Sequence, residues 1–327
     1  MKHVVRRQFM QMAGAAAAVP IVAPLARAQA YPSRAVRVIV PYAPGGVTDI
    51  VVRLIAQKLS EHLGKQFFVE NVPGATGNIG TSQAAKAAPD GHTVLGAFSS
   101  YVVNPTLFDK IPYDPYKDFD PVTLATTSTT VLLVNPSVSA ETVKELVALV
   151  RANPGKYSYA SAGAGTQSHL AGEQFRLSLG LDLVHVPFSG GGPAIASVIA
   201  GHTPVGFNSP TTTVQHIKDG KVRALGVTGA SRSQSMPDVP TMTEGGYPDI
   251  KGDSWVGFLV PAGTPKDIVV LLNREIAKIL ALPDIKERLV SLGSDAVASS
   301  PEEFAQRIKT EIETWGRVIR AANIKVQ

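Results

Sequence analysis

The residues best suited to chemistry in this 327-residue chain are glycines and small hydroxyls set at the starts of helices. In Tyr42-Ala43-Pro44-Gly45-Gly46-Val47-Thr48-Asp49 a glycine pair stands between a β-branched run and an apolar helical period. Glycine permits positive φ and close approach of the backbone, and Thr48 or Asp49 is placed to cap the helix. The first N–H groups of a helix lack helical partners and carry the positive end of its dipole, so such a loop suits a phosphate or a carboxylate.

One such loop is a weak signal, since many glycine loops only turn the chain. Here the arrangement recurs. Gly74-Ala75-Thr76-Gly77-Asn78-Ile79-Gly80 precedes a helix, and Ser161-Ala162-Gly163-Ala164-Gly165-Thr166-Gln167-Ser168-His169 follows a strand and precedes another, as does Ser189-Gly190-Gly191-Gly192 before Pro193. Open α/β sheets gather such loops at the carboxyl ends of their strands. A cleft lined by helix starts suits a ligand with a negative group and offers little machinery for breaking bonds.

The sequence has no G-x-S-x-G elbow, no G-x-x-x-x-G-K-[ST] phosphate loop, no H-E-x-x-H zinc motif and no G-x-G-x-x-G in the first loop. Its seven histidines are scattered, with no pair at metal-ligand spacing. His169 is the one histidine in a candidate loop, and it reads as a ring packed near a helix start and bonded to a loop carbonyl rather than as a ligand contact. Asp49 reads as a cap, because its carboxylate would repel an anion. No metal or cofactor is expected.

The elements that position these loops alternate as in parallel α/β structure. Strands are predicted at Val36–Val40, Phe67–Asn71, Thr93–Phe98, Val131–Asn135, Tyr157–Ser161, Leu183–Phe188, Pro204–Asn208, Val222–Thr228 and Trp255–Val260, with helices between most of them. A helix is predicted at Asp49–Leu63, stopped by Gly64. The last third is helical: one helix begins at Thr264-Pro265, one covers Asp284–Leu292, and one starts at Ser300-Pro301 with capping-box spacing to Glu303 and runs to about Ala322. Trp315 reads as a core anchor. The stretches Asn104–Asp120 and Ser231–Asp253 read as long surface connections around a self-contained set of βα units. The expected division is therefore residues 31–128 with 251–327 as one domain and 129–250 as the other, with two chain crossings as the hinge.

Residues 1–30 stand apart. Lys2, Arg6 and Arg7 precede a small-residue run from Ala13 to Ala26, and A-x-A patterns at Ala26–Ala28 and Ala28–Ala30 mark cleavage near residues 28–30, as in an export signal. Arg6-Arg7 followed by Gln8-Phe9-Met10 resembles a twin-arginine signal. Residues 31–327 hold 27 basic against 26 acidic residues, which is not the excess charge of a nucleic-acid binder. Cysteine is absent, so disulfides, a thiol nucleophile and a lipid-modified cysteine are excluded.

At these motifs the chain resembles the periplasmic solute receptors of tripartite tricarboxylate transporters, the Bug-type receptors. The resemblance is carried by Val40–Asp49, Gly74–Gly80, Pro89-Asp90-Gly91, Ile111–Pro115, Tyr159–Gly163, Gly165-Thr166, His169–Glu173 and Pro237–Thr241. It implies a two-domain α/β flytrap of the type II binding-protein fold, monomeric, that encloses a small carboxylate between its domains and presents it to integral-membrane transporter subunits. The first loop would supply backbone N–H groups and hold bridging waters from Gly45, Gly46, Val47, Thr48 and Asp49. Further contacts implied are Tyr42, Thr76, Asn78, Phe98, Ser99, Ser161, Ala162, Thr166, Ser168, His169, Phe188 and Asn208. Aromatic Tyr42, Phe98, Tyr101 and Phe188 either flank the ligand body or belong to the core.

Two departures bear on the substrate. Relatives often read V-P-Y-K-G where this chain has Val186-Pro187-Phe188-Ser189-Gly190, and F-D-N where it has Phe207-Asn208-Ser209. An acid at Asn208 would pair with an ammonium, so the amide argues against amino-acid ligands and for di-, tri- or aromatic carboxylates. A sensory receptor docking on a kinase is the alternative from another class. A hydrolase using Ser168 and His169 is remote, because adjacent helical residues do not face each other.

Overall fold

The computed structural model describes residues 31–325, and the expected export signal lies outside them. The chain begins with β1 (Val36–Val40), α1 (Val47–Leu63), β2 (Phe67–Asn71), α2 (Asn78–Ala85), β3 (Thr93–Phe98), α3 (Ser100–Leu107) and β4 (Phe119–Ser128). There follow β5 (Val131–Val134), α4 (Val143–Ala152), β6 (Tyr157–Ser161), α5 (Gln167–Ser178), β7 (Leu183–Pro187), α6 (Gly191–Ile199), β8 (Val205–Asn208), α7 (Pro210–Lys218) and β9 (Arg223–Val227). The last part is β10 (Ser254–Pro261), α8 (Lys266–Leu280), α9 (Pro283–Ser291), β11 (Asp295–Ala296) and α10 (Pro301–Ala321).

Among the described residues the strands form two sheets. The first has the order β11-β4-β10-β3-β1-β2 and the second β7-β6-β8-β5-β9. Strand β10 runs antiparallel between β3 and β4, so the last part of the chain completes the sheet begun by the first. Strands β1, β2 and β3 are parallel, as are β6, β7 and β8, which brings the loops that follow them to one end of each sheet.

Side chains alternate across each strand, and the core divides accordingly. In β1, Val36, Val38 and Val40 face α1, α8 and α9, while Ile39 faces the layer of α3 and α10. In β5, Leu132 and Val134 face α4 and α5, and Val131 and Leu133 face α6. Leu170 of α5 is an exception of consequence: it is buried among Tyr101, Trp255 and Trp315, within the layer that belongs to the first sheet.

The chain passes between the sheets at Ser128–Val131 and again at Gly252–Ser254, and the two passages lie side by side. Ser254 Oγ donates to Ser128 O (3.2 Å), and Thr228 Oγ1 donates to Gly252 O (2.7 Å).

The predicted strands form with shifts of at most one residue at either end, and Ser300 and Glu303 make the expected capping box. Gly64 stops α1 in the left-handed conformation at φ 68. Three expectations are corrected. Asn104–Asp120 is not one surface connection, because α3 continues through Leu107 and β4 begins at Phe119. Strand β4 was not expected: Pro121 and a run of threonines hide it, and its burial comes from pairing with β10 and cover by α8 and α10. The first helix starts at Val47, with Gly46 as its N-cap, so neither Thr48 nor Asp49 caps it.

Candidate functional site

The loop after β1 is set by Gly45 at φ +86, a region that disfavours side chains. Gly46 lies at φ −74, ψ 164, which any residue adopts. Asp49 turns back on the loop instead of toward a ligand. Its carboxylate accepts from Gly45 N (2.9 Å), Arg53 Nε (2.9 Å) and Asn71 Nδ2 (2.8 Å). Burial pushes its pKa up, but the hydrogen bonds from Arg53, Gly45 and Asn71 outweigh that and hold it below the usual carboxylate range. Asn71 also donates to Tyr42 O (3.0 Å), so the loop is pinned at both ends.

The next loop runs through four positive φ values in succession, Gly74 (133), Ala75 (46), Thr76 (53) and Gly77 (92). Left-handed backbone at two non-glycine residues is strained and survives only where neighbours enforce it. Thr76 has an exposed side chain, and its carbonyl accepts from Ser100 Oγ (3.3 Å) and Asn104 Nδ2 (3.0 Å). The Asn78 side chain is buried, its Oδ1 accepting from Asn104 Nδ2 (2.8 Å) and the Tyr113 hydroxyl (3.2 Å). At the end of β3, Phe98 meets the Tyr42 ring edge-on at 6.0 Å, and Ser99 is buried at the start of α3.

The loops of the second sheet are more self-contained. Thr166 caps α5, accepting from His169 N (3.4 Å) and donating to Gly163 O (2.7 Å). Ser168 Oγ accepts from Ala162 N (2.9 Å). Ser161 is fully buried and accepts from Gly163 N (3.2 Å). His169 Nδ1 accepts from Gly165 N (3.0 Å), so the ring is bound by an amide rather than by the carbonyl expected. Ser168 and His169 share no hydrogen bond, so these two do not form a nucleophile–base pair. Phe188 is half-buried, its N–H donating to Ser161 O (3.0 Å). Asn208 is 3% exposed with both ends of its amide in use: Nδ2 donates to Gly191 O (2.9 Å) and Oδ1 accepts from Ser209 N (3.0 Å).

Two groups of expected site residues result, one at the strand ends of each sheet. Tyr42, Gly45–Asp49, Thr76, Asn78, Phe98 and Ser99 form the first; Ser161, Ala162, Thr166, Ser168, His169, Phe188 and Asn208 form the second. The groups approach where Gly165 faces Leu107 of α3, an added Cβ at Gly165 lying 3.4 Å from the leucine. Among the described residues α1, α2, α3, α6 and α7 begin with no side-chain cap, whereas α5 is closed by Thr166. Tyr101 is a core residue, its hydroxyl bonded to Pro115 O (2.8 Å). A concavity of about 910 Å³ lies elsewhere, between α5, the second passage and α10, and none of the expected residues lines it.

Residues 51–324 match the model of the tripartite tricarboxylate transporter family receptor. The chain belongs to that family. Similar to this receptor chain is a UPF0065 protein from the tcbD-tcbE intergenic region of Pseudomonas sp. strain P51, 40% identical over 294 residues, which cover 90% of this chain and 88% of the relative. Among solved structures, a Rhodopseudomonas palustris protein with adipate is 31% identical with TM-score 0.71, over 90% of this chain and 99% of that one. MatC of the same organism, with bound malate, is 34% identical with TM-score 0.68, over 88% and 100%. The receptor therefore has the two-sheet fold of periplasmic binding proteins. Among its described residues no helix is long and apolar enough to cross a membrane.

Asn71, Ser100, Asn104 and His185 were not expected in this receptor's loops, yet each fixes one. An asparagine closing an apolar strand and another inside an apolar helix are legible signals for Asn71 and Asn104. Ser100 and His185 carry none, since their partners Tyr42 and Ser161 stand 58 and 24 positions away.

Proposed function

We propose that this receptor captures a small dicarboxylate or aromatic carboxylate in the periplasm, between a lobe of residues 31–128 with 251–327 and a lobe of residues 129–250. It delivers the acid to membrane transporter subunits chemically unchanged. The observation that carries the reading is the set of uncapped helix starts at the strand ends of both sheets, α1 on one, α6 and α7 on the other. Their free N–H groups and dipoles favour an anion, and no lysine or arginine stands in these loops to serve instead. Relatives solved with adipate and malate support the same ligand class.

Within this reading Gly46, Val47, Thr48 and Asp49 act through their backbone N–H groups, with Thr76, Ser99 and Thr166 beside them. Gly45 is left out because its N–H is held by Asp49. Closure follows when a ligand that touches both lobes binds the closed state better and draws the equilibrium toward it. The test is a thermal-shift screen of organic acids on residues 31–327, since binding only the folded state raises the midpoint by mass action. Calorimetry on the hits follows, with analysis of the recovered acid. No binding by any carboxylate, or conversion of the acid to product, overturns the proposal.

A further inference from the structure

Beneath the loop that follows β6, two imidazoles lie face to face. The rings of His169 and His185 are parallel to within 9° with centroids 3.8 Å apart, and Tyr159 stacks on His185 at 4.9 Å. The histidines come from different elements, α5 and β7, and each holds the loop at one point. Gly165 N donates to His169 Nδ1 (3.0 Å), and Ser161 Oγ lies 2.7 Å from His185 Nε2.

The bond from a backbone amide fixes a tautomer. A ring nitrogen that accepts carries no proton, so His169 is protonated on Nε2, which lies 3.9 Å from Glu173 Oε1. Glu173 is not free to balance a further positive charge. It is gripped by Arg176, with Nε at 2.8 and 2.9 Å from its two oxygens, and it accepts from the Tyr159 hydroxyl (2.6 Å). The charges acting on the pair are therefore Glu173 and Arg176, which oppose one another. A protonated His169 would set Nδ1–H against the Gly165 N–H, two donors with no acceptor between them. A second proton would face a cation one ring thickness away.

We propose that His169 and His185 are positioning residues for the Ser161–Thr166 loop that hold it only as a neutral stacked pair, so that one proton taken up by the pair frees Gly165 and weakens carboxylate binding. The proposal rests on this loop forming part of the ligand site. Burial holds both rings below the ordinary imidazole range, and His185, with the adjacent His169 adding to burial, is pushed down to about 4. The loop is thus locked at neutral pH and released in acid.

The test uses residues 31–327 and two readouts between pH 4 and 8. Long-range proton–nitrogen spectra report ring tautomers and titration, with hydrogen exchange at the Gly165 amide alongside; calorimetry with adipate and with malate reports affinity. Expected are an Nε2–H tautomer for His169 at pH 7, midpoints for both rings below the ordinary imidazole range, and loss of Gly165 protection and of affinity with the same midpoint. His169→Asn keeps an acceptor near the Nδ1 position but takes up no proton, and should keep Gly165 protected and affinity level into acid. His169→Phe keeps the stack without the acceptor, and should lose the protection at every pH and bind about tenfold more weakly. An Nδ1–H tautomer, or Gly165 protection indifferent to ring protonation, overturns the histidine mechanism alone. Protection that follows the rings while affinity does not overturns the loop's place in the ligand site. Failure of every acid in the carboxylate screen to bind at pH 7 overturns the proposed ligand class, and the spectra still decide the histidines.

Discussion

The phenol of Tyr42 is hydrogen-bonded to the Ser100 hydroxyl, tying the loop after β1 to the start of α3. Ser100 Oγ in turn donates to Thr76 O, so Tyr42 is the donor in their bond and three loops of the first sheet form one unit. Burial pushes the phenol up to about 12, which keeps it a neutral donor at any physiological pH. Tyr42 is thereby a strut for the loops.

Tyr42→Phe removes this bond and leaves the ring against Phe98. The expected loss of stability is about 1 kcal/mol, and carboxylate affinity should fall several-fold as the loops uncouple. Thermal melting and calorimetry check both. Unchanged affinity would mean that the loops keep their places without the strut.

The two glycines of the first loop should respond in opposite ways. A side chain at Gly45 is strained by φ +86 and should cost about 1–3 kcal/mol of stability. A Cβ at Gly46 meets nothing nearer than Ala43 O at 3.9 Å, so Gly46→Val should melt within about 0.5 kcal/mol of the parent. Its affinity should nevertheless collapse, because the branched side chain would stand over the N–H groups that open α1. If Gly46→Val binds as the parent does, the helix start faces away from the ligand.

Much of this architecture is legible in the sequence because it is local. Glycine loops between a β-branched run and a helical period mark the strand ends, and the capping box at Ser300 and Glu303 marks α10. Strand β4 escaped because its residues carry no alternation and are buried by partners from the far end of the chain, β10 and α10. The loops' functional partners escaped for the same reason: Tyr42 with Ser100 and His169 with His185 are set by the order of strands in the sheets. Asp49 shows the limit of local reading, since its position suggests a cap while its bonds reach Gly45, Arg53 and Asn71.

Asp253 lies buried in the second passage between the sheets, with Oδ1 lacking a partner. Burial raises its pKa to about 6, opposed by Arg307 and reinforced by Glu311 and Asp295. The folded state therefore holds a proton that the unfolded chain releases between about pH 4 and 6, and this group's contribution to stability falls as pH rises through that window. Asp253→Asn should raise the melting temperature at pH 7.5, by the equivalent of about 1–3 kcal/mol, and change it little at pH 4.5. The histidine pair has the opposite sign, since depressed imidazole values make stability rise with pH between about 4 and 6.5. Calorimetric melting of parent and variant across pH 4–8 separates the two. An unaltered midpoint at pH 7.5 would show that the carboxylate is solvated in its place.

The last prediction concerns selectivity and follows from Asn208. Its amide donates to Gly191 O and accepts from Ser209 N, joining the starts of α6 and α7, and it carries no charge. A ligand ammonium brought to these helix starts meets dipoles of the wrong sign and no carboxylate, and leaving a charge unpaired out of water is costly. Glutarate should therefore bind more tightly than glutamate. Asn208→Asp still accepts from Ser209 but no longer donates to Gly191, so two oxygens now face each other at the site of a 2.9 Å bond. The substitution should cost about 1–3 kcal/mol of stability, weaken glutarate through repulsion, and narrow or reverse its lead over glutamate. Calorimetry with the matched pair on parent and variant measures both arms. Tighter binding of glutamate by the parent would refute the argument from charge, and a variant that loses stability with its preference unchanged would leave Asn208 as a tie between helices outside the ligand's reach.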